Sequence, residues 1–222
     1  TAIVHGGALS LSDSQTAVIN CIFTGNDAAY SGGALQLLGG TPKINNCRIM
    51  DNTANDTGGA ALVNGSPVFT NCTITGNTAS KGAGALQVVD KGSSPQIRNS
   101  ILWDNLPTEI EVEYFTSRVT ATYSDIKQKS GVYPGTGNIN QDPMFLNDLN
   151  LNYRYRGVLD KGSPCIDAGD NSALTAGMET DIIGHARRSD YPETKDTGKG
   201  SAPVVDMGAA EYTILYVDDD AE

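Results

Sequence analysis

Three glutamates alternate along one short run: Glu109, Glu111 and Glu113 in Glu-Ile-Glu-Val-Glu-Tyr. In an extended strand, alternate residues share one face about 7 Å apart. Joined by Asp104 or Asp125 from adjoining segments, the three carboxylates have the hard-oxygen chemistry of a Ca²⁺ site. The plainer reading is a solvated acidic strand face. Asp218-Asp219-Asp220 is a second run of oxygen ligands, or an acidic linker. Asp167 and Asp170, taken with Asp181 and Asp206, form a third group that could hold a cation or pair with Arg187 and Arg188. Other chemistries find no foothold. His5 and His185 belong to no metal spacing, and no histidine sits near a nucleophile motif. Cys165 lacks an evident base, and Gly198-Lys199-Gly200 is too short to cradle a phosphate. No cofactor is called for, with calcium the one candidate.

What must position these groups is a repeat. Gly32-Gly33-Ala34-Leu35-Gln36-Leu37, followed by Ile44-Asn45-Asn46-Cys47-Arg48-Ile49-Met50-Asp51-Asn52, has altered copies on either side. The second glycine recurs at 7, 33, 59 and 84, in steps of 26, 26 and 25. The terminal asparagine recurs at Asn26, Asn52, Asn77 and Asn105. Within each copy, apolar residues alternate over three to five positions and are then broken by Gly, Asn, Ser, Thr or Pro. That pattern predicts three short strands per copy and no helix, which excludes a leucine-rich repeat. About 25 residues and three strands per turn is the arithmetic of an all-β, right-handed parallel β-helix, with coils about 4.8 Å apart.

Stacking then assigns the conserved-looking positions within the repeat. Asn26, Asn52, Asn77 and Asn105 form one ladder, and Asn20, Asn46, Asn71 and Asn99 form a second at a tight corner. Cys21, Cys47 and Cys72 stack, with Ser100 ending the series. In-register neighbours make a disulfide torsion awkward, so they read as free, buried thiols. The outward positions of the repeats include Ser10, Gln36, Gln87, Arg48, Thr73 and Thr75, with no carboxylate among them.

Regular repeats occupy residues 6–105 and irregular coils 106–156, so the β-helix as a whole spans 1–156. Between Lys127 and Gly137 the Gly, Pro and Ser density predicts an exposed loop. Residues 157–212 change character and read as an irregular C-terminal cap over the open end of the stack, with a polar surface excursion across 171–203. Within it, 162–170 and 204–212 read as strands. Residues 213–222 read as a linker or the start of a following unit, with Ile214, Leu215, Tyr216 and Val217 as an apolar strand suited to assembly.

The Gly-Gly-Ala-Leu and Phe23-Thr24-Gly25-Asn26 patterns resemble the GGA-[ILV] and F-x-x-N repeats of polymorphic outer-membrane proteins, which are bacterial surface adhesins. Four segments of the second half are similar to secreted right-handed parallel β-helix proteins with a choice-of-anchor C-terminal region. They are Tyr123-Ser124-Asp125-Ile126, 137–145, Gly162-Ser163-Pro164-Cys165-Ile166-Asp167-Ala168-Gly169 and 205–212. The resemblance implies a multi-unit extracellular, cell-surface protein of bacterial origin.

A net charge of −11 opposes nucleic acid as a partner, and no apolar run is long enough for membrane insertion. The β-helix is also the scaffold of pectate lyases and polygalacturonases, which need carboxylates and a base converging on one groove. The repeats show no such constellation, and Trp103, Tyr114 and Tyr123 are the few residues that could line a sugar groove. The expectation is a non-catalytic structural or adhesive module that self-associates or joins neighbouring units, with a glycan or host-surface ligand on its outer faces. The alternative is a polysaccharide-active or carbohydrate-binding β-helix.

Overall fold

The computed structural model describes residues 5–146 and 156–213. Ile214, Leu215, Tyr216, Val217 and the three aspartates after them lie outside the described residues. The chain winds through five coils, each strand pairing parallel with its counterpart one coil away. The first sheet stacks Leu9–Ser14, Leu35–Gly40, Ala61–Asn64, Leu86–Val88 and Ile110–Val112. The second stacks Ala17–Ile19, Lys43–Asn45, Val68–Thr70, Gln96–Arg98 and Thr120–Thr122, and the third Ile22–Thr24, Arg48–Met50, Thr73–Thr75, Ile101–Trp103 and Asp125–Ile126.

Exact register puts like on like. Leu35, Ala61 and Leu86 align in the first sheet, Ile44, Phe69 and Ile97 in the second, and Ile49, Ile74 and Leu102 in the third. None of these nine is exposed, and they fill the interior. Burying each large apolar side chain stabilises the stack by about 1.5–3 kcal/mol.

A fourth, two-residue strand in each of the first three coils escapes the three-strand reading: Asp27–Ala28, Thr53–Ala54 and Thr78–Ala79. It exists because the residue before each ladder asparagine adopts positive φ: Gly25 (65°), Asp51 (55°), Gly76 (68°) and Asp104 (56°). Gly and Asp reach that left-handed region at low cost. The turn aims the following asparagine inward and lets the next two residues pair.

Residues 106–126 complete a fifth coil of the same design. Glu111 pairs with Gln87 and Ala121 with Ile97. Tyr123 (φ 48°) stands at the corner used by Asn20, Asn46, Asn71 and Asn99. Thr120–Thr122 and Asp125–Ile126 are therefore separate strands, parted at Tyr123-Ser124.

The Tyr133 side chain, in the segment read as an exposed loop, packs against the main core that Ala121 and Ile126 close. Asn138 beside it donates to the Ala121 and Tyr133 carbonyls at 3.0 and 3.1 Å. The C-terminal segment does not lie over the end. It runs lengthwise along the corner between the second and third sheets. Cys165 meets Asp125 of the fifth coil, Asp170 meets Asn99 of the fourth, and Thr180 meets Asn46 of the second. The chain then returns to bring Asp206 onto Asn71 of the third. A second apolar cluster, including Ile101, Leu159, Cys165, Ile166 and Met207, seals it to the stack. The segments read as strands at 162–170 and 204–212 are turns and extended chain instead: the Gly169 N–H on Val205 O and the Met207 N–H on Cys165 O join them, and side chains and loops take other backbone bonds. Among the described residues there is no α-helix, only a 3-10 turn at Asn171–Ala173, and no helix is long and apolar enough to cross a membrane.

Candidate functional site

Inside the stack, the first asparagine ladder is continuous. The backbone N–H and the Nδ2 of Asn26 both donate to Asn52 Oδ1, each at 2.9 Å. Asn52 repeats this on Asn77 at 3.0 and 2.8 Å, and Asn77 on Asn105 at 3.0 and 2.7 Å. The Asn52, Asn77 and Asn105 side chains also donate to a carbonyl of the preceding coil, as Asn77 does to Ile49 O at 2.8 Å. A fully bonded interior ladder of this kind is the polar counterpart of the apolar core.

Glu109 ends it. Asn105 donates its backbone N–H to Glu109 Oε1 at 3.1 Å and its Nδ2 to Oε2. Glu109 is therefore turned into the stack and buried, whereas Glu111 and Glu113 are exposed on the strand. The three glutamates do not share one face, because the chain turns inward at Glu109 before the strand begins at Ile110. Burial pushes the Glu109 carboxyl up to about 7, against the Asn105 bonds that favour its charge. Asp104, on the outer corner, pairs with Lys127. The Lys127 ammonium lies 5.2 Å from the centre of the Trp103 ring. Asp104, Glu109 and Lys127 border a notch of about 300 Å³.

Tyr114 meets Lys91 at 5.8 Å instead. Trp103 and Tyr123 pack against the apolar cluster beneath the C-terminal segment. The three aromatic residues thus form no single groove.

Cys21, Cys47 and Cys72 are free thiols. Each Sγ points to the carbonyl two residues back, at 3.3 Å on Ile19, 3.2 Å on Asn45 and 3.5 Å on Thr70. Ser100 and Ser124 continue the line with the same bond, at 2.8 Å to Arg98 O and 2.9 Å to Thr122 O. Burial raises the Cys47 thiol well above its usual range and Cys72 to about 12, so both are poor nucleophiles.

The second asparagine line works differently from the first. Asn20, Asn46, Asn71 and Asn99 have φ of 56°, 51°, 49° and 48°, which points their side chains out of the stack. Asn46 Nδ2 donates to Thr180 O at 2.8 Å, Asn71 Nδ2 to Asp206 O at 3.0 Å, and Asn99 Nδ2 to Asp170 O at 3.0 Å. One bond within the line, Asn99 to Asn71 at 3.3 Å, remains. Asn46, Asn71 and Asn99 anchor the C-terminal segment, whereas Asn20 is exposed. The segment covers the outer face of the third sheet, so Arg48 and Thr73, read as outward positions, have no exposure. Thr73 Oγ1 accepts the Ala209 N–H at 2.9 Å. Gln87 is also buried, accepting the Ala83 N–H at 3.0 Å.

A buried ionic network sits under the segment. Arg187 Nε lies 3.3 Å from Glu211 Oε1, and its Nη2 donates to Gly208 O. Asp206 Oδ1 accepts the Asp167 N–H at 2.7 Å, and its own N–H donates to Glu211. Asp181 accepts N–H bonds from Ile183, His185 and Glu211 at 2.9, 2.8 and 2.9 Å. Burial drives Asp206 up to about 7 and Glu211 well above its usual range, Asp206 adding to the latter. It also brings Arg48 down to about 10, opposed by Asp181. The expected grouping of Asp167, Asp170, Asp181 and Asp206 is accordingly divided. Asp181 and Asp206 belong to this network, and Asp170 pairs with Lys199 at 3.1 Å. Asp167 meets Asp190 and Asp196, one oxygen from each lying within 4.8 Å of the others. Glu211, Asp190 and Asp196 were not singled out from the sequence. Their partners are far along the chain, and no spacing rule reaches them.

A family described as a right handed beta helix region matches residues 3–141. No curated protein and no solved structure matches the chain. The matched span holds all five coils, their parallel sheets and the complete asparagine ladder, and it exceeds half of the 222 residues; the chain belongs to the right-handed β-helix family.

Proposed function

We propose that the protein is a non-catalytic, extracellular structural or adhesive module of a cell-surface protein, extended by neighbouring units or by further copies of itself. The observation that carries this reading is the fate of four of the five carboxylates that burial moves toward neutrality among the described residues, all but Asp167. Glu109 closes the ladder. Asp125, raised by burial to about 6, accepts from Gln141 N–H and Cys165 Sγ at 3.2 and 3.4 Å. Asp206 and Glu211 hold the C-terminal segment. Perturbed carboxyl groups mark functional sites when they face a substrate cleft; these are consumed by hydrogen bonds that maintain the fold.

The first coil supports association. Among the described residues its strands pair on one side alone. Leu9, Leu11, Val18 and Phe23 are half-buried, whereas their counterparts Leu35, Leu37, Ile44 and Ile49 have no exposure. An open strand edge over a partly uncovered core favours addition of another coil. Sedimentation of the full chain over a concentration series is expected to show growth into elongated species, lost in Val18→Glu. A native chain that stays monomeric throughout would remove the self-association.

A second reading rests on one cleft. Gln96, Arg98, Thr120, Thr122, Asp170 and Ser172 border about 280 Å³ between the second sheet and the C-terminal segment, polar walls of the kind that bind sugar hydroxyls. Incubation with uronate polysaccharides and Ca²⁺ tests it. Unsaturated chain ends, abolished by Arg98→Gln within that cleft, would overturn the non-catalytic reading.

A further inference from the structure

The C-terminal segment contains one carboxylate whose position the protein alone does not account for. Asp167 has no exposed surface, yet neither of its oxygens accepts a hydrogen bond. Burial, then the Asp196 and Asp190 charges, raise its carboxyl to about 6, against the Tyr191 backbone N–H, which approaches without closing a bond. Leaving a buried charge unsatisfied costs several kcal/mol in general, so such groups are ordinarily paired or coordinated. What Asp167 faces is more negative charge. Asp190 and Asp196, both exposed, each bring an oxygen within 4.8 Å of it and of each other.

Among the described residues, no basic side chain forms an ion pair with any of the three. Four cations of this region are committed elsewhere: Lys161 to Glu193, Lys199 to Asp170, Arg187 to Glu211, and Arg188 to the Ser201 and Pro203 carbonyls; Lys195, beside Asp196 in the chain, is exposed and forms no ion pair with the three. The backbone holds the two sides together. The Thr197 and Gly198 N–H groups donate to Asp167 O at 2.9 and 3.0 Å, which fixes the 190–197 excursion against the turn.

We propose that Asp167, Asp190 and Asp196 form a Ca²⁺ site that ties the polar excursion to the C-terminal segment. An unpaired interior carboxylate and two solvent-side carboxylates, with no nitrogen or sulfur donor, select a hard cation. Loop-borne ligands that leave room for water suit Ca²⁺ better than the rigid octahedral demand of Mg²⁺. The Asp167 N–H already binds Asp206 Oδ1 at 2.7 Å, so a cation here would steady the ionic network that anchors the segment to the stack.

Calorimetric titration of the full chain with CaCl₂, after removal of cations with EDTA, is expected to show one saturable site with a Kd on the order of 10⁻⁴–10⁻³ M. At ~10 mM Ca²⁺ the thermal midpoint should rise by roughly 3–10 °C. In Asp190→Asn/Asp196→Asn both responses should vanish, while its midpoint in EDTA equals or exceeds that of the native chain, because repulsion has been removed. No calcium response in the native chain, or a response retained in the double variant, would overturn the site. So would a double variant that melts lower in EDTA, since the two carboxylates would then be holding the fold through protein contacts.

Discussion

Each step of the interior ladder uses one asparagine oxygen to accept two N–H bonds, from the backbone and side-chain amides of the residue one coil before. Glu109 takes the same two bonds with two oxygens, at the position where the series ends. Its carboxyl is raised from the ordinary 4.5 to about 7. The native state therefore binds a proton more tightly than the unfolded chain does. The associated stability is fully present below about pH 4.5 and is lost as pH rises through about 7, an effect on the order of 3 kcal/mol. Glu109→Gln keeps an oxygen that can accept both bonds, as Asn Oδ1 does elsewhere in the ladder. Urea denaturation is expected to show this variant more stable than the native chain at pH 8, with a shallower loss between pH 5 and 8. Asp206 and Asp125, also raised by burial, leave part of the slope in place. Glu109→Ala strands both Asn105 donors and should cost about 2–4 kcal/mol at either pH.

At the scale of the coil, two kinds of glycine do different work. A Cβ at Gly33 would lie 2.1 Å from Gly59 O and 2.7 Å from Thr53 O, both backbone atoms. No side-chain rearrangement relieves that contact, so Gly33→Ala should force neighbouring coils apart and cost more than 3 kcal/mol, or prevent folding. Gly25 has positive φ, but nothing lies within 4 Å of its Cβ position. The equivalent corners carry Asp51 and Asp104. Gly25→Asn is therefore expected to change stability by less than about 1 kcal/mol. Thermal melts of the two variants side by side check both statements. The spacing of these glycines was legible in the sequence. Which one needs closeness and which needs backbone freedom was not, because both requirements select the same residue.

Over the whole molecule, the five coils and the C-terminal segment are joined at one corner by outward asparagines and the Arg187 network. Removing the guanidinium leaves Glu211 and Asp206 buried together without the cation that favours both charged forms. Truncating one partner of a buried pair costs about 3–5 kcal/mol. Arg187→Leu should accordingly loosen the segment while the stack persists. Hydrogen exchange is expected to quicken at 204–211, with the Asn52 and Asn77 amides unchanged. Equal acceleration in both regions would mean that stack and segment unfold as one unit. Asn46, Asn71 and Asn99 were readable as a corner line, since asparagine tolerates positive φ. That their amides serve another part of the chain was not readable, because the partners lie more than 70 residues away and are mostly backbone carbonyls.

The sequence by itself determined the architecture. A 25- to 28-residue period of short alternating strands, Gly-Gly turns and one recurring asparagine allows a parallel stack and little else, since each coil satisfies its neighbour with the same residues in register. Only the tertiary structure decided where the unrepeated parts go. It turned Glu109 inward while Glu111 and Glu113 stayed out, covered the end of the core with Tyr133, and laid the C-terminal segment along the flank. It also brought Asp167 to Asp190 and Asp196. Such contacts depend on which surfaces remain unsatisfied once the stack has formed, and a non-repeating segment carries no period from which its partner can be read.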